Sequence, residues 1–313
     1  MSTDLRIHVS LAHLRSLQGA AQGLSFLPRQ PSASVLNGRH ASRLRGRGLN
    51  FEEMRDYLPG DDIRSIDWKA TARTGRPHVR VFTEERDRPA LLVVDQRMSM
   101  FFGSQLNMKS VTAAEAAAIA TFRILDAGDR VGGIVFDNDS HVELAPKRSR
   151  RTAYALLEAI AEKNAGLHAD RPAEPAPGEL NAVLNSVARI AHHDHLVFVF
   201  SDFDGINEIT QRHLSGIATH NDVVLFLVYD PISEQIEPGE RAVIGDSHMQ
   251  AEIDLGSSSI REAVNDFTRQ RLEKIYRWQT GINLSVLPLS AGEETLPQIR
   301  RLMGGLAPRR SVR

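Results

Sequence analysis

RPALLVVDQRMSMFFG, residues 88–103, is the stretch of sequence that decides the fold of this chain. Its continuous apolar run, 90–94, ends on Asp95 and is followed by a loop that contains Ser99 and Gly103. A fully apolar strand is typical of the middle of a parallel sheet that is covered on both faces. Such sheets place their functional groups in the loops at the carboxyl ends of the strands. We therefore predict that the Asp95 carboxylate projects into a crevice that receives an ion or a partner.

From residue 88 onward, apolar runs alternate with amphipathic segments. We predict strands at 90–95, 130–136, 140–145, 195–201, 222–229 and 282–288, and helices at 107–126, 149–163, 179–192, 206–218, 258–280 and 293–303. Strand–helix alternation of this kind implies right-handed crossovers between parallel strands. The predicted fold class is α/β: a doubly wound, mostly parallel sheet over 88–313, with an inserted hairpin near 231–254 and an N-terminal extension over 1–87.

The composition limits the function classes. The 313 residues are 42% hydrophobic and 25% charged, which supplies enough apolar material for a core. The formal net charge is −1, so no overall field attracts nucleic acid or anionic lipid. The chain has no cysteine, which excludes disulfides and cysteine-ligated metal and is typical of a reducing cytosol. The start, MSTDLRIHVS, lacks a signal-peptide pattern, and no apolar run approaches the ~20 residues that span a bilayer. We expect a cytoplasmic protein with no nucleic-acid partner and no direct membrane insertion.

Residues 38–88 form a distinct, arginine-rich block. It holds eleven arginines and one lysine against nine acids, and it includes GRGLNFEEMRDYLPGDDIRSIDWKATAR. The sequence PGDD at 59–62 is a strong turn signal, and HVRVFT at 78–83 alternates as a strand does. Two interpretations stay open, a subdomain laced with salt bridges that packs on the core and a partner-docking face. The candidate partner-binding residues of this block are Arg55, Asp61, Asp62, Arg64 and Asp67.

Two aspartates are the most informative candidate site residues. Asp95 and Asp202 are each the first carboxylate after an apolar run, so both are expected at the same crevice of the sheet. With Ser99 they would supply hard oxygen ligands of the kind that Mg²⁺ prefers. Aspartate and serine also cap the helices that follow such loops, and the spacing alone does not separate the two roles.

The order of elements, with Asp-x-x-x-Ser after the first strand of the sheet and Ser-Asp after the fourth, resembles the von Willebrand factor A domain. More narrowly, the arginine-rich block followed by EERDRPALLVVDQRMSMFFGS, DRVGGIVF, VFSDF and VVLFLVYDP resembles one bacterial family. That family is named domain of unknown function 58, and its members are often encoded beside MoxR-type AAA+ ATPases. The resemblance covers residues from about 38 to about 231.

This resemblance implies a non-enzymatic protein-interaction module that acts with a MoxR-type AAA+ ATPase in assembling or remodelling a protein complex. In von Willebrand A domains, a metal-ion-dependent adhesion site holds a divalent cation such as Mg²⁺, and a carboxylate of the partner completes its coordination. Matched residue by residue, Asp95, Ser99 and Asp202 correspond to ligands of that site.

The adhesion site is degenerate in this sequence. In von Willebrand A domains its first loop reads Asp-x-Ser-x-Ser, but Arg97 stands at the position of the middle serine. A guanidinium is always charged and only donates hydrogen bonds, so it repels a cation and can pair with Asp95 or Asp202 instead. The threonine that the site takes from a middle loop also has no counterpart, since that region offers only Glu179. Two interpretations stay open: Arg97 turns out to solvent and a weakened site for Mg²⁺ or another divalent cation survives, or Arg97 presents a fixed positive charge to a partner carboxylate in place of the metal.

An alternative function is a metal-dependent hydrolase that uses Asp95 and Asp202. The sequence has no Gly-x-Ser-x-Gly, His-Glu-x-x-His or Gly-x-Gly-x-x-Gly signature to support it. GSQLNMKS at 103–110 imitates a phosphate-binding loop but has Met108 where the second glycine belongs, and we expect a helix start there with Lys109 on an exposed face. The histidines of AHHDHL, 191–196, fall across a predicted helix end, where side chains diverge, and are not expected to bind zinc.

Overall fold

The computed structural model of the protein describes residues 4–21, 49–58, 61, 63–84, 89–169, 179–231, 241–246, 249–254, 271, 273–278, 281–282 and 284–303. The chain divides into two compact units, one formed from 30–87 and the other from 1–29 together with 88–313. The strands are β1 (Leu49–Asp56), β2 (His78–Glu84), β3 (Ala90–Asp95), β4 (Val131–Phe136), β5 (His141–Lys147), β6 (Leu196–Ser201), β7 (Asp222–Tyr229), β8 (Arg241–Asp246), β9 (Met249–Asp254) and β10 (Leu284–Ser290). The helices are α1 (Leu11–Ser16), α2 (Trp68–Thr74), α3 (Lys109–Asp126), α4 (Arg150–Ala165), α5 (Glu179–Ile190), α6 (Glu208–Ala218) and α7 (Thr295–Met303).

A six-stranded sheet in the order β10-β7-β6-β3-β4-β5 organises the larger unit. All neighbouring pairs are parallel except β4 and β5. The chain proceeds from β3 to β4 on one side and later returns to β6 on the other, so the strand order reverses between β3 and β6. This is a topological switch point, where the loops at the carboxyl ends diverge and leave a crevice. The predicted fold class is confirmed, and the arrangement is consistent with a von Willebrand A-like α/β fold.

The sheet is covered by helices on both faces, and β3 shows how the sequence specifies this. Its apolar side chains alternate, with Leu92 and Val94 in the core beneath α1, α3, α4 and α7, and Leu91 and Val93 in the core beneath α5 and α6. Because both faces are buried, an alternating apolar–polar pattern would leave polar groups inside. The continuous apolar run is the sequence that such a strand requires.

Residues 4–21 belong to the larger unit and are tied to α3 and α4. The N–H of Val9 donates to Asn164 Oδ1 (2.8 Å), and His13 Nε2 lies 2.7 Å from Glu115 Oε1. Leu14 is fully buried in the core on that face of the sheet. Residues 1–87 were expected to form one extension, and the beginning of that range thus packs with the sheet domain.

The smaller unit is built around the antiparallel pair β1–β2 and the short helix α2. Asp67 caps α2 by accepting hydrogen bonds from the N–H groups of Lys69 (2.9 Å) and Ala70 (3.0 Å). Gly75 ends the helix in the left-handed conformation, with φ of 71°, which glycine adopts without strain. These local signals, a capping aspartate and a terminal glycine, fix the two ends of a helix that has little core of its own.

The C-terminal part of the larger unit follows the predicted order less completely within the described residues. β8 and β9 form a separate antiparallel pair inside 231–254, where the sequence predicts a hairpin. Residues 273–278 are helical, whereas most of the helix predicted at 258–280 lies outside the described residues. Among the described helices, none is both long and apolar enough to cross a membrane.

Gly133 in β4 gives a direct test of the packing around that strand, and Gly216 in α6 serves as its control. A Cβ at Gly133 would lie 2.5 Å from the Leu92 carbonyl oxygen and 2.8 Å from Leu156 Cδ1, whereas a Cβ at Gly216 in α6 would meet no atom within 4 Å. We expect Gly133→Ala to lower the free energy of unfolding by about 1–3 kcal/mol through overpacking. Gly216→Ala should raise it by up to ~1 kcal/mol through helix propensity. Urea unfolding of both variants measures this, and equal stabilities would contradict the packing described here.

Candidate functional site

The candidate site lies at the switch point, where β3 and β6 end. Asp95 is the last residue of β3 and Asp202 directly follows β6, and both carboxylates are buried. The loop after β6 turns sharply, since Phe203 adopts a positive φ of 55°. This turn brings the backbone of Asp204 back toward the end of β3. The two aspartates picked from the sequence therefore lie on one edge of the sheet.

Arg97 fills the space between these two loops. Its Nη2 donates to Asp95 Oδ2 (2.7 Å) and its Nε donates to Asp95 Oδ1 (3.0 Å), a two-point pairing that matches the guanidinium fork to the carboxylate. Nη2 also lies 3.9 Å from Asp202 Oδ1, and Nη1 donates to the Asp204 carbonyl oxygen at 3.3 Å. Arg97 thus links the end of β3 to the loop after β6.

Two further cations hold the second loop. Lys109 Nζ donates to Asp202 Oδ2 (2.6 Å), and Arg271 Nη2 donates to Asp204 Oδ1 (2.5 Å). The expectation that Lys109 occupies an exposed helix face is wrong, because its side chain is largely buried against Asp202. The first turn of α3 reaches the carboxyl edge of the sheet, and the ammonium group is drawn to the nearest carboxylate there.

We call these six residues the charge cluster. It consists of three acidic and three basic side chains, Asp95, Asp202, Asp204, Arg97, Lys109 and Arg271. Its formal charges cancel, which is the arrangement in which buried ions are tolerated. Every member belongs to the larger unit.

The electrostatics of the cluster favour the charged forms of Asp202 and Arg97. Burial favours the neutral carboxyl group of Asp202, but the charges of Lys109, Arg97 and Arg271 outweigh burial and hold its pKa well below the usual range. Burial would likewise lower the pKa of Arg97, but the charge and hydrogen bonds of Asp95, helped by Asp202, raise it above its ordinary value. Asp202 and Arg97 therefore stay ionised around neutral pH.

The remaining oxygen positions are occupied by neutral donors. The Ser201 hydroxyl donates to Asp95 Oδ2 (2.6 Å), and the Ser99 hydroxyl donates to Asp202 Oδ1 (3.3 Å). The N–H of Asp204 donates to the same oxygen of Asp202 at 3.0 Å. Ser99 thus lies beside Asp202, as the adhesion-site pattern requires, but as a hydrogen-bond donor to it.

In this arrangement the side chains do not fit a divalent cation. A metal ligated by Asp95, Ser99 and Asp202 would have to displace the guanidinium of Arg97 and the ammonium of Lys109, which already neutralise the two carboxylates. A divalent cation beside these carboxylates would be repelled by both the Arg97 guanidinium and the Lys109 ammonium group. Over the part of the chain that the structure describes, no cluster of three or more histidine, aspartate or glutamate side chains could hold a metal.

The loop that bears Arg97 is supported from behind by buried amides. Gln96 Nε2 donates to the Ser110 carbonyl oxygen (3.0 Å), and Asn164 Nδ2 donates to Gln96 Oε1 (2.8 Å). Asn164 in turn accepts the N–H of Val9, so the N-terminal segment is connected to the site through one buried amide pair. A buried chain of satisfied hydrogen bonds holds its members in one geometry.

The candidate residues of the smaller unit have local structural partners where the structure describes them. Asp67 is the N-cap of α2, and Asp61 Oδ2 accepts the N–H of Leu58 (2.8 Å) in the turn after β1. Arg64 lies in a one-turn 3-10 helix and is exposed. The side chain of Arg55 and the whole of Asp62 lie outside the described residues. Their assignment as partner-binding residues stays a prediction.

The structure accounts for the two segments that imitate a phosphate-binding loop (103–110) and a zinc site (191–196). A Cβ at Gly103 would lie 2.2 Å from the Asn107 carbonyl oxygen, so this glycine allows a close approach within the loop that leads into α3. His193 and His220 line a polar pocket of about 430 Å³ between the end of α6 and the amino ends of β6 and β7, opposite the charge cluster. Neither motif contributes to the carboxyl edge as a phosphate or zinc site.

Sequence reasoning missed Lys109 and Arg271 as members of the site. Lys109 carries a usable signal, because the first turn of a helix that follows a central strand lies near the carboxyl edge. Arg271 carries none, since it reaches Asp204 across 67 residues of sequence. Its position is fixed only by the fold.

Comparison with known proteins adds a family but no activity. Residues 53–274 match the family described as protein of unknown function DUF58, so the match includes the charge cluster and most of the smaller unit's described residues. Uncharacterized proteins of Mycobacterium bovis and of two Mycobacterium tuberculosis strains are each 32% identical over 218 residues. The aligned region covers 69% of this chain and 66% of the relatives' length.

Proposed function

We propose that this chain, which belongs to the DUF58 family of proteins of unknown function, is a non-enzymatic protein-interaction module. The docking face is the carboxyl edge of the six-stranded sheet, around the charge cluster. The partner is a MoxR-type AAA+ ATPase of the cytoplasm, and the joint task is the assembly or remodelling of a protein complex. The choice of partner rests on the family resemblance in the sequence; the choice of face rests on the geometry.

The observation that supports this proposal most directly is the internal neutralisation of the site. In an adhesion site, a metal ion connects the loops and a partner completes it. Here Arg97 connects the same two loops through Asp95 and the Asp204 carbonyl group. A surface that is already held in one geometry loses little conformational freedom on binding, which favours docking. The degenerate adhesion site is thus proposed to act without metal.

A partner would meet the rim of the cluster before its centre. The Arg97 side chain is 4% exposed, whereas that of Asp204 is 44% exposed. Phe102 lies in the loop that leads from Arg97 to α3, and its carbonyl oxygen accepts the N–H of Lys109 (2.8 Å). Its side chain is 36% exposed and offers an apolar contact near the charges. Arg97 therefore acts by positioning the loops, and the groups exposed to a partner are the Asp204 carboxylate and the Phe102 ring.

The same geometry gives little support to the hydrolase alternative. A general base works best when its pKa lies near the pH of the reaction, and the pKa of Asp202 is held far below that range. Asp95 has both oxygens engaged by Arg97 and one also by Ser201. Carboxylates paired in this way are poor bases and poor metal ligands.

A binding measurement with one edge variant tests the proposal. We expect the nucleotide-free MoxR-type ATPase of the same genome to bind the wild type equally well in EDTA and in Mg²⁺. Phe102→Glu should weaken binding by about tenfold or more, the size expected for a central apolar contact. Val142→Glu, at a position of similar exposure (39%) on β5, is the control and should bind normally. No binding by the wild type, or full binding by Phe102→Glu, would contradict the proposed docking face.

A further inference from the structure

Residues 4–9, which we call the N-terminal strap, complete the start of α3. A helix start leaves backbone N–H groups without partners inside the helix, and a side chain at the N-cap ordinarily accepts one of them. Met108 is the N-cap of α3, and its side chain makes no such hydrogen bond among the residues that the structure describes. Its backbone is held by the strap, because its N–H donates to the Arg6 carbonyl oxygen (2.9 Å). The strap therefore contacts the residue that precedes Lys109, the cation that neutralises Asp202.

The strap also reaches the residue that precedes Arg97, through a pair of buried amide side chains. The N–H of Val9 donates to Asn164 Oδ1 (2.8 Å), and Asn164 Nδ2 donates to Gln96 Oε1 (2.8 Å). Both amide side chains are fully buried. An unpaired polar group is costly there, so each amide fixes the orientation of the next. The strap is thus connected to the backbone on the amino side of both Arg97 and Lys109.

A ring contact fastens the strap between these two points. We call residues 96–108, between β3 and α3, the docking loop. The His8 ring stacks on the Phe101 ring of this loop, with centroids 5.6 Å apart and planes 25° apart. His8 Nδ1 also donates to the Asn164 carbonyl oxygen at 3.1 Å. Phe101 directly precedes Phe102, whose exposed ring belongs to the proposed docking face.

Outside these contacts the strap is loosely packed. Residues 4–7 are all exposed, and they form a turn in which the N–H of Ile7 donates to the Asp4 carbonyl oxygen (3.0 Å). Val9 is the buried anchor of the strap. A cavity of about 640 Å³ lies between residues 8–11 and α4. Segments with few buried apolar contacts open at a lower free energy than the core does, so the strap can detach while the sheet stays folded.

We propose that the N-terminal strap is a latch for the docking face. When the strap is seated, its contacts fix the docking loop, and with it Arg97 and Lys109, in the geometry described above. When it is released, the loop and its exposed Phe102 gain conformational freedom that binding must remove, so the partner binds less tightly. The latch is argued from contacts within this chain, whereas its effect on binding rests on the proposed function.

Hydrogen exchange of single backbone amides tests the latch without a partner. Asn164→Leu removes the acceptor of the Val9 N–H and the donor to Gln96. We expect the N–H groups of Val9 and Met108 to exchange about tenfold faster or more, the size expected when buried polar groups lose their partners. The Arg97 N–H, which is hydrogen-bonded inside the charge cluster, should exchange faster with them.

Asn221→Leu is the matched control. Asn221 is also a buried asparagine that connects backbone groups, and it lies at the opposite edge of the sheet. It accepts the N–H of His195 (2.9 Å) and donates to the carbonyl oxygens of Ala191 and Ile217. We expect this variant to speed the exchange of His195 and to leave the strap and the docking loop at wild-type rates. Equal acceleration of all these amides in both variants would mean global destabilisation and would overturn the latch.

A milder variant keeps the test decisive if Asn164→Leu does not fold. His8→Ala removes the ring that stacks on Phe101, at a half-buried position, and leaves the buried amide pair intact. It should speed the exchange of the Met108 N–H by about threefold or more, as expected for the loss of one aromatic pair. If only the Val9 N–H responds to either variant, the strap does not position the docking loop and the inference fails.

Binding measurements show whether the latch controls docking. Asn164→Leu should bind the MoxR-type ATPase of the same genome about tenfold more weakly than the wild type, and Asn221→Leu should bind normally. Because coupling is reciprocal, the ATPase should in turn slow the exchange of the Val9 N–H in the wild type. If Asn164→Leu releases the strap but binds normally, the latch does not control docking, and the proposed function stands. If the wild type does not bind, the proposed function fails, and the exchange rates alone decide whether the strap positions the loop.

Discussion

Replacing Arg97 with serine should destabilise the protein and at the same time create a response to Mg²⁺ that the wild type lacks. The substitution leaves Asp95 buried without the guanidinium that neutralises it. Breaking a buried ion pair in this way costs about 3–5 kcal/mol. For a domain of this size that corresponds to a fall in melting temperature of roughly 10 °C.

The expected response of Arg97→Ser to Mg²⁺ follows from the side chains that remain at the site. Arg97→Ser restores the Asp-x-Ser-x-Ser loop and removes the cation nearest to Asp95. A divalent ion can then take over the neutralisation of Asp95. Lys109 still pairs with Asp202 Oδ2, but the other oxygen, Oδ1, lies beside the Ser99 hydroxyl and stays within reach of the ion. Since a ligand that binds only the folded state raises the melting temperature by mass action, millimolar Mg²⁺ should recover part of the lost stability. The wild type should melt at the same temperature in EDTA and in Mg²⁺.

Two controls separate metal binding from general stabilisation by salt. Arg97→Met removes the charge without adding an oxygen ligand, so it should lose stability and show no Mg²⁺ response. The double variant Asp95→Asn, Arg97→Ser should lose the response as well. If Arg97→Ser melts at the same temperature with EDTA and with Mg²⁺, the charge cluster does not stand in the place of a metal. If the wild type responds to Mg²⁺, Arg97 does not exclude the ion.

The sheet could be predicted from the sequence because its strands are buried on both faces. A run such as 90–94 is typical of a strand that is covered on both faces, and the parallel topology directs the aspartates that end such runs to one edge of the sheet. The same reasoning identified Asp95 and Asp202 as site residues and predicted that Arg97 can pair with them. Periodicity and strand ends are local properties, and they were sufficient for these residues.

The rest of the charge cluster depends on contacts that local patterns do not encode. From the sequence alone, Lys109 is predicted to be an exposed lysine at a helix start. In the folded protein the helix packs against the sheet, and the Lys109 ammonium group contacts Asp202. Arg271 joins Asp204 from a distant helical segment. The link from Val9 through Asn164 to Gln96 likewise spans most of the first half of the chain. Only the assembled fold shows that the crevice is neutral.

The second large expected effect is a fall in the free energy of unfolding at acidic pH. Because the pKa of Asp202 is held well below its unfolded value of about 3.9, this residue contributes stability that is fully present above that value. The contribution is lost as the pH falls from about 5 through the lowered pKa, since the unfolded chain then binds more protons. We therefore expect the free energy of unfolding of the wild type to fall steeply over that interval, as measured by urea unfolding at successive pH values.

Asp202→Asn should remove this dependence at a cost in stability near neutral pH. The amide leaves Lys109 and Arg97 with less negative charge around them, and the loss at pH 7 should approach the 3–5 kcal/mol typical of a broken buried pair. Its stability curve should then be flatter than that of the wild type below about pH 5. Asp137→Asn is the matched control, because the pKa of Asp137 is also lowered, chiefly by its hydrogen bond from Lys163 against the effect of burial.

Asp137 is more exposed than Asp202 and is not part of the charge cluster, so its substitution should cost less and leave most of the acid sensitivity in place. Lys109→Met provides the converse change. It removes the largest charge that lowers the pKa of Asp202, so that the loss of stability should begin at a higher pH than in the wild type. If Asp202→Asn and Asp137→Asn give the same curve, acid sensitivity does not originate in the charge cluster. An onset that Lys109→Met leaves unchanged would mean that Arg97 and Arg271 alone keep Asp202 ionised.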